Sequence, residues 1–373
     1  MRILYGVVGE GMGHATRSRV VLDRLAQEHE LYVVVSGRAH AYLAARFPNV
    51  HRIWGFTLNY RGNTMKRWPT VLQNLRGAVG GWPKNVGEYM KLVASFRPDV
   101  VISDFESFSY YFAKVHRVPV IGLDNIHVIS RCEHARALLA GHERDFGLIR
   151  RVVAAKLPRC FHYLITTFFH PPVSRKRTTL VPPVLRPEAL AAKSEPGDHL
   201  LVYQTASTNV ALPEVLKRLG MPARIYGLRR EIREDVVDGN LTYRPFSESA
   251  FIDDLRTCRA VVAGGGFTLL SEAVYLHKPV LSVPVERQFE QVLNALYIQE
   301  LGYGRYAPKL TAEALNDFLG RLPEFQRALA GYHQDGNTVA LAALDQQLAR
   351  AVERRSSRAP VPQPRRRGSV DQR

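Results

Sequence analysis

The chain has 373 residues, 46% hydrophobic and 23% charged, a composition that excludes a disordered or collagen-like chain and suits two packed domains. Its three cysteines, Cys132, Cys160 and Cys258, are far apart with no paired CxxC, which argues against a disulfide framework and a zinc site. The formal charge of +17 favours phosphate-bearing partners, and with no aromatic-interleaved RNA motif or zinc finger beside it, no specific nucleic acid is expected; an anionic membrane surface is the better partner.

In chain order, short runs rich in Val, Ile, Leu and Tyr alternate with helix-length stretches, the pattern of parallel βαβ units. The first half offers "RILYGVV", "ELYVVVSG", "HRIWGF", "DVVISDF", "VPVIGLDN" and "YLITTFF". The rhythm pauses in a Pro-rich, basic stretch from Pro171 to Pro196, the best domain boundary. It restarts with "HLLVYQTAS", "ARIYGL", "LTYRPF", "AVVAGGG" and "KPVLSVPV". This predicts an α/β protein with an N-terminal Rossmann-like domain over 1–180 and a second over 197–332. A closing helix follows over 336–354, with Val339, Leu341, Leu344 and Leu348 along its apolar surface, then a disordered basic tail over 355–373. Ligands of such sheets bind beyond the C-terminal strand ends, which places a site in the cleft between the domains. No apolar run is long enough for a membrane span and the N-terminus lacks a signal-peptide core, so a cytoplasmic location, peripheral on the inner face of the plasma membrane, is expected.

Two glycine-rich loops carry the chemistry. "GEGMGHATR" follows the first strand and opens a helix, with Gly9, Gly11 and Gly13 allowing close backbone approach. Its spacing is G-x-G-x-G rather than the dinucleotide G-x-G-x-x-G, and Arg38 stands where a ribose-binding acid would be expected; an NADP reductase is a minor reading. His14 is either a locally bonded helix-start residue or a general base projecting into the cleft, with the "SDFES" carboxylates Asp104 and Glu106 as partners. An Asp capping the helix that starts near Ser107 is the alternative for that segment. The second loop, "AGGGFTLLSEAVYLHKPVLSVPVERQFEQVLNA", sets Gly264, Gly265, Gly266, Phe267 and Thr268 at a helix N-terminus, where free amides suit a diphosphate. Glu272 follows, positioned to accept from ribose hydroxyls, and Glu290, Gln291 and Asn294 add polar groups suited to a sugar.

These two loops together resemble the GT-B-fold glycosyltransferases, with the nearest likeness to the bacterial type that includes the peptidoglycan N-acetylglucosaminyltransferase and the diacylglycerol glycosyltransferases. The resemblance implies two Rossmann-like domains facing a central cleft and a C-terminal helix packing back on the first. It implies transfer of a sugar from a nucleotide diphosphate sugar, UDP-linked, to a hydroxyl of a lipid or glycan acceptor, without cofactor or metal and with inversion. Gly264 to Thr268 would hold the diphosphate, Glu272 the ribose, Glu290 and Gln291 the sugar, and Phe246 in "YRPFSES" the nucleobase. Gly11 and Gly13 would line the donor site with Thr205 and Ser207 of "YQTAST", which departs from the family's glycine-rich loop. Arg229 is the candidate for leaving-group charge, with a solvated surface charge as the equal alternative. The segment "NYRGNTMKRWPTVLQNLRGAVGGWPKNVGEYMKL" mixes Trp68, Trp82, Met65 and Leu72 with Lys66, Arg67, Arg76 and Lys84, which suits either an anionic bilayer surface or an ordinary amphipathic cover over the sheet. The alternatives to transfer are a GT-B UDP-sugar 2-epimerase, acting without acceptor, and a non-catalytic nucleotide-sugar or anionic-glycan binding protein.

Overall fold

The computed structural model describes residues 1–9, 12–54, 85–204, 211–285 and 288–357, together with a two-strand ribbon, β4 (Tyr60–Arg61) and β5 (Thr64–Met65). The first sheet contains β1 (Arg2–Val7), β2 (Glu30–Val35), β3 (Val50–Arg52), β6 (Val100–Asp104), β7 (Val120–Asp124), β8 (His162–Thr166) and β9 (Thr178–Val181). Their order is β3-β2-β1-β6-β7-β8-β9, all parallel. The second sheet contains β10 (Leu200–Tyr203), β11 (Ala223–Tyr226), β12 (Val236–Asp238), β13 (Leu241–Arg244), β14 (Ala260–Ala263), β15 (Val280–Ser282) and β16 (Gly304–Tyr306). Its order is β12-β13-β11-β10-β14-β15-β16, parallel except for β12 against β13.

In both sheets the strand order reverses beside the first strand, between β1 and β6 and between β10 and β14. Loops leaving the two strands at such a point diverge and open a crevice. Both glycine loops arise there: "GEGMGHATR" follows β1, and Gly264 to Gly266 follow β14. The N-terminal halves of two helices, Met12–Leu25 and Phe267–Tyr275, are thereby set against each other across the cleft.

The sheets meet through apolar contact as well. Phe169 stacks on Tyr297 with ring centroids 3.9 Å apart, and Phe168 on Phe267 at 5.8 Å. The helix Thr338–Ser356 returns to the first sheet and buries Ala340, Leu344, Leu348 and Ala351 against Leu123, Leu164 and Val181. Val339, expected on its apolar surface, is instead 47% exposed. The helix also runs past the expected end: Arg355, read as the start of the tail, is helical and donates to the Pro98 carbonyl at 2.7 Å. The rest of that tail, 358–373, lies outside the described residues, as do most of the Trp- and Lys-bearing residues of the segment after Asn59. No helix among the described residues is long and apolar enough to cross a membrane.

Candidate active site

His14 stands in the first turn of Met12–Leu25, and Asp104 is the last residue of β6, in register with Val7 at the end of β1. The turn after β6 passes through Phe105 at φ 54°, a left-handed conformation that costs a bulky residue energy and reverses the side-chain directions on either side. Asp104 consequently points at the first helix while Glu106 points at the next. The His14 Nδ1 lies 2.9 Å from Asp104 Oδ1, with Asp104 fully buried and His14 16% exposed. A carboxylate only accepts, so Nδ1 carries the proton and Nε2 presents its lone pair.

The same carboxylate takes two further donors. Arg17 Nη2 reaches Oδ1 at 2.5 Å, and Ser18 Oγ donates to Oδ2 at 3.1 Å. Burial alone would raise the Asp104 carboxyl, but the Arg17 guanidinium and His14 outweigh it and hold the group below its ordinary value. Asp104 is thus an anion at neutral pH, able to fix the imidazole tautomer and to stabilise an imidazolium.

Glu106, expected as a second partner of His14, is the N-cap of the helix Ser107–Val115. Its oxygens accept from the Phe108 and Ser109 amides at 2.6 and 2.7 Å, which satisfies orphan donors of the first turn and removes it from the dyad. The two carboxylates therefore diverge, and no group of three His, Cys, Asp or Glu among the described residues forms a metal-binding set.

On the opposite side of the cleft, Gly265 adopts φ +87°, and a Cβ there would meet the Gln291 carbonyl oxygen at 2.7 Å, so this turn requires glycine. Gly264 packs near Gln291 and Gln204, and Gly266 is the N-cap of Phe267–Tyr275, with open space where a side chain would be. Thr268 donates to the Gly13 carbonyl at 3.2 Å, and a Cβ on Gly13 would meet Thr268 Oγ1 at 2.7 Å. The imidazole-bearing turn and the anion-suited helix start are therefore in direct contact. Phe267 is turned away: its ring is buried against Phe168, so only its amide belongs to the loop.

Glu272, placed by its sequence as an open ribose acceptor, is fully buried. Arg186, preceding the short linker helix Pro187–Ala191, donates from Nε and Nη2 to its two oxygens at 2.6 and 2.9 Å. Of the residues expected to contact the sugar, Gln291 accepts from the Val285 amide at 3.1 Å, and Asn294 donates to the Gly265 carbonyl at 3.2 Å. Glu290 accepts from Asn125 Nδ2 at 2.7 Å, reaching across to the first domain.

Phe246 is 59% exposed and lines an open cavity of about 480 Å³ with Tyr42, Arg46, Glu188, Glu248 and Ser249. Arg19 ties two of these residues together, donating to Glu188 at 2.6 and 2.8 Å and to Glu248 at 3.1 Å. Arg229 departs from expectation. Its guanidinium stacks 3.9 Å over Tyr243, whose ring belongs to the core on the sheet face opposite Phe267–Tyr275. Gly11, Thr205 and Ser207 lie outside the described residues.

The family model described as "Glycosyl transferase family 1" matches residues 1–323. The chain belongs to this family. It is 25% identical over 375 aligned residues to an uncharacterized glycosyltransferase of Methanosarcina mazei, covering 86% of this chain and 90% of that one. A second, from Methanosarcina acetivorans, is 23% identical over 82% of this chain and 85% of its own. Among solved structures, the glycotransferase of kitacinnamycin superposes with a TM-score of 0.64 at 17% identity, covering 93% of this chain and 99% of that one. Spinosyn rhamnosyltransferase complexed with thymidine diphosphate gives 0.60 at 17%, covering 94% and 100%. MurG of Acinetobacter baumannii gives 0.57 at 14%, covering 92% and 99%. The likeness to these structures shows the GT-B fold, and the chain is a family 1 glycosyltransferase.

Proposed function

We propose that this family 1 glycosyltransferase moves a sugar from a nucleoside diphosphate sugar to an acceptor hydroxyl in one inverting displacement, with His14 as the base. The observation that carries the reading is the His14–Asp104 pair at 2.9 Å, one residue from the contact between Gly13 and the donor-side helix. The acceptor O–H proton passes to His14 Nε2 as the oxygen bonds the anomeric carbon. The bond from that carbon to the phosphate oxygen breaks, and its electron pair leaves with the nucleoside diphosphate. Amides at Gly266 to Thr268 and the dipole of Phe267–Tyr275 stabilise the leaving charge. Nothing in this sequence of steps calls on Arg229.

The base partner we assign to Phe246 is a uracil or thymine ring, supported by its exposure beside the cavity. For the acceptor we propose a lipid or lipid-linked glycan at an anionic membrane face, supported by the net charge of +17 and by the tryptophans and lysines after Asn59.

The test is thermal stabilisation by a panel of UDP-, TDP- and GDP-sugars, followed by product analysis with wild type and His14→Ala. Stabilisation by one series, with nucleoside diphosphate release that falls about 10²–10⁴-fold in the variant, is expected. Stabilisation with unchanged release in His14→Ala removes the base. No stabilisation by any nucleotide at millimolar concentration removes the donor. Flotation with phosphatidylglycerol vesicles, compared with phosphatidylcholine, tests the membrane partner.

A further inference from the structure

Asn125 follows the last residue of β7, and its side chain is 3% exposed. One end of its amide is 2.7 Å from Glu290 Oε1 in the second domain, and the other is 3.3 Å from Arg17 Nη1 in the first helix. The orientation of the amide follows from chemistry: a carboxylate only accepts and a guanidinium only donates, so the NH₂ faces Glu290 and the carbonyl faces Arg17. Asn is suited to this place because it is neutral and carries one donor group and one acceptor at the right reach. Aspartate would keep the Arg17 contact and set a second carboxyl against Glu290.

Arg17 is 3% exposed, and its Nε has no hydrogen-bond partner among the described residues, so Nη1 and Nη2 fix the plane of the group. Nη2 lies 2.5 Å from Asp104 Oδ1, the same oxygen that holds His14; its 3.0 Å approach to the protonated imidazole Nδ1 sets two donors side by side on that shared oxygen and is not a hydrogen bond. A continuous line of polar contacts therefore runs Glu290, Asn125, Arg17, Asp104, His14, with the domain boundary crossed once, at Asn125.

We infer that Asn125 and Arg17 are positioning residues of the transferase site, through which the placement of the donor-side Glu290 sets the placement of the Asp104–His14 pair. The inference rests on the proposed role of His14 and adds to it a condition. The base reaches its working geometry when the second domain presents Glu290, so a productive imidazole is tied to a closed cleft rather than to the first domain alone. Orientation of this kind acts on turnover, because a displacement of about 1 Å at a reacting group costs on the order of 10²-fold.

The experiment is a double-mutant cycle of Asn125→Asp and Glu290→Gln. It is read in nucleoside diphosphate release from the nucleotide sugar that best stabilises the wild type, with the dissociation constant of that nucleotide measured beside it. Asn125→Asp is expected to lower kcat at least tenfold while nucleotide affinity stays within about threefold. The same substitution made in the Glu290→Gln background should cost less than threefold, since glutamine can donate to the new carboxylate. Arg17→Lys, which keeps the charge and loses the two-ended grip, should lower kcat with little change in nucleotide affinity. The inference is overturned if Asn125→Asp turns over at the wild-type rate, or if it costs the same with glutamate and with glutamine at 290. A wild type that releases no nucleoside diphosphate from any donor removes the reading of the whole site, and the positioning role with it. Melting temperatures of the four proteins report separately whether the Asn125–Glu290 contact forms.

Discussion

Arg186 holds Glu272 by two hydrogen bonds, 2.6 and 2.9 Å long, in a pair 7% and 0% exposed. Both carboxylate oxygens are occupied and shut off from solvent, so a ribose can use this group only after the linker side chain moves. The pair is also a structural commitment, since removing one partner leaves the other charge buried. Glu272→Ala should therefore cost about 3–5 kcal/mol of unfolding free energy, and nucleotide-induced stabilisation falls with it only where Arg186 swings aside to let a ribose reach the carboxylate. In urea unfolding, the double variant Glu272→Ala, Arg186→Met should recover part of that loss, because no buried charge remains.

Asp104 supplies a pH prediction. Its folded-state carboxyl sits below its ordinary value, despite burial, because Arg17 and His14 outweigh desolvation. The unfolded state then binds the proton more tightly. The resulting stability is fully present above about pH 5, and it is lost as pH falls through the unfolded value near about 3.9 toward the lower folded one. Asp104→Asn should differ most from wild type at neutral pH, and the difference should shrink below about pH 4. Denaturant unfolding across roughly pH 3–7 checks it, and in the same variant kcat should fall about 10²–10⁴-fold.

Gly13 and Thr268 leave no room for a methyl group between the domains: a Cβ at Gly13 would stand 2.7 Å from Thr268 Oγ1. Gly13→Ala should lower kcat while nucleotide binding to the second domain is retained. Adding Thr268→Ala, which removes the obstructing hydroxyl, should restore part of the rate if closure is what the methyl group obstructs. Steady-state turnover with the two single variants and the double variant decides this.

Phe246 is 59% exposed and contributes little to the core. Phe246→Ala should leave stability within about 0.5 kcal/mol of wild type. If the ring stacks on the nucleobase, nucleotide affinity should fall by about 0.5–1.5 kcal/mol, roughly two- to tenfold. Calorimetric titration with UDP and TDP measures it directly.

Most of the two sheets is legible in the sequence, because parallel strands buried on both faces read as continuous apolar runs. The exceptions have physical causes. β9, "TTLV", stands among prolines and basic residues and is half-exposed along most of its length, so it lacks the signature of a buried strand. β12 and β16 have three residues each, too few for any periodicity. In the site, His14 and Asp104 stand out because each ends a strand or follows one at the point where the sheet reverses. Glu106 pairs with Asp104 in the sequence by proximity alone, and only the positive φ at Phe105 separates their directions. Arg17, Asn125 and Arg186 acquire their roles from partners 86 to 165 residues away, which no local pattern encodes. The one local signal for Asn125 is "GLDN", a strand ending in polar residues as "VISD" does.

The returning helix Thr338–Ser356 has a consequence for how the molecule is made. Its Leu344 and Leu348 fill the core beside Leu123 and Leu164, so the first domain is assembled from segments that lie on both sides of the second domain in sequence. During synthesis the first sheet emerges before the second domain but stays uncapped until this helix leaves the ribosome, with its apolar flank exposed while about 150 residues of the second domain are still being added. The domain begun first is therefore the one finished last, and a chain cut short before residue 338 should fail at its N-terminal half.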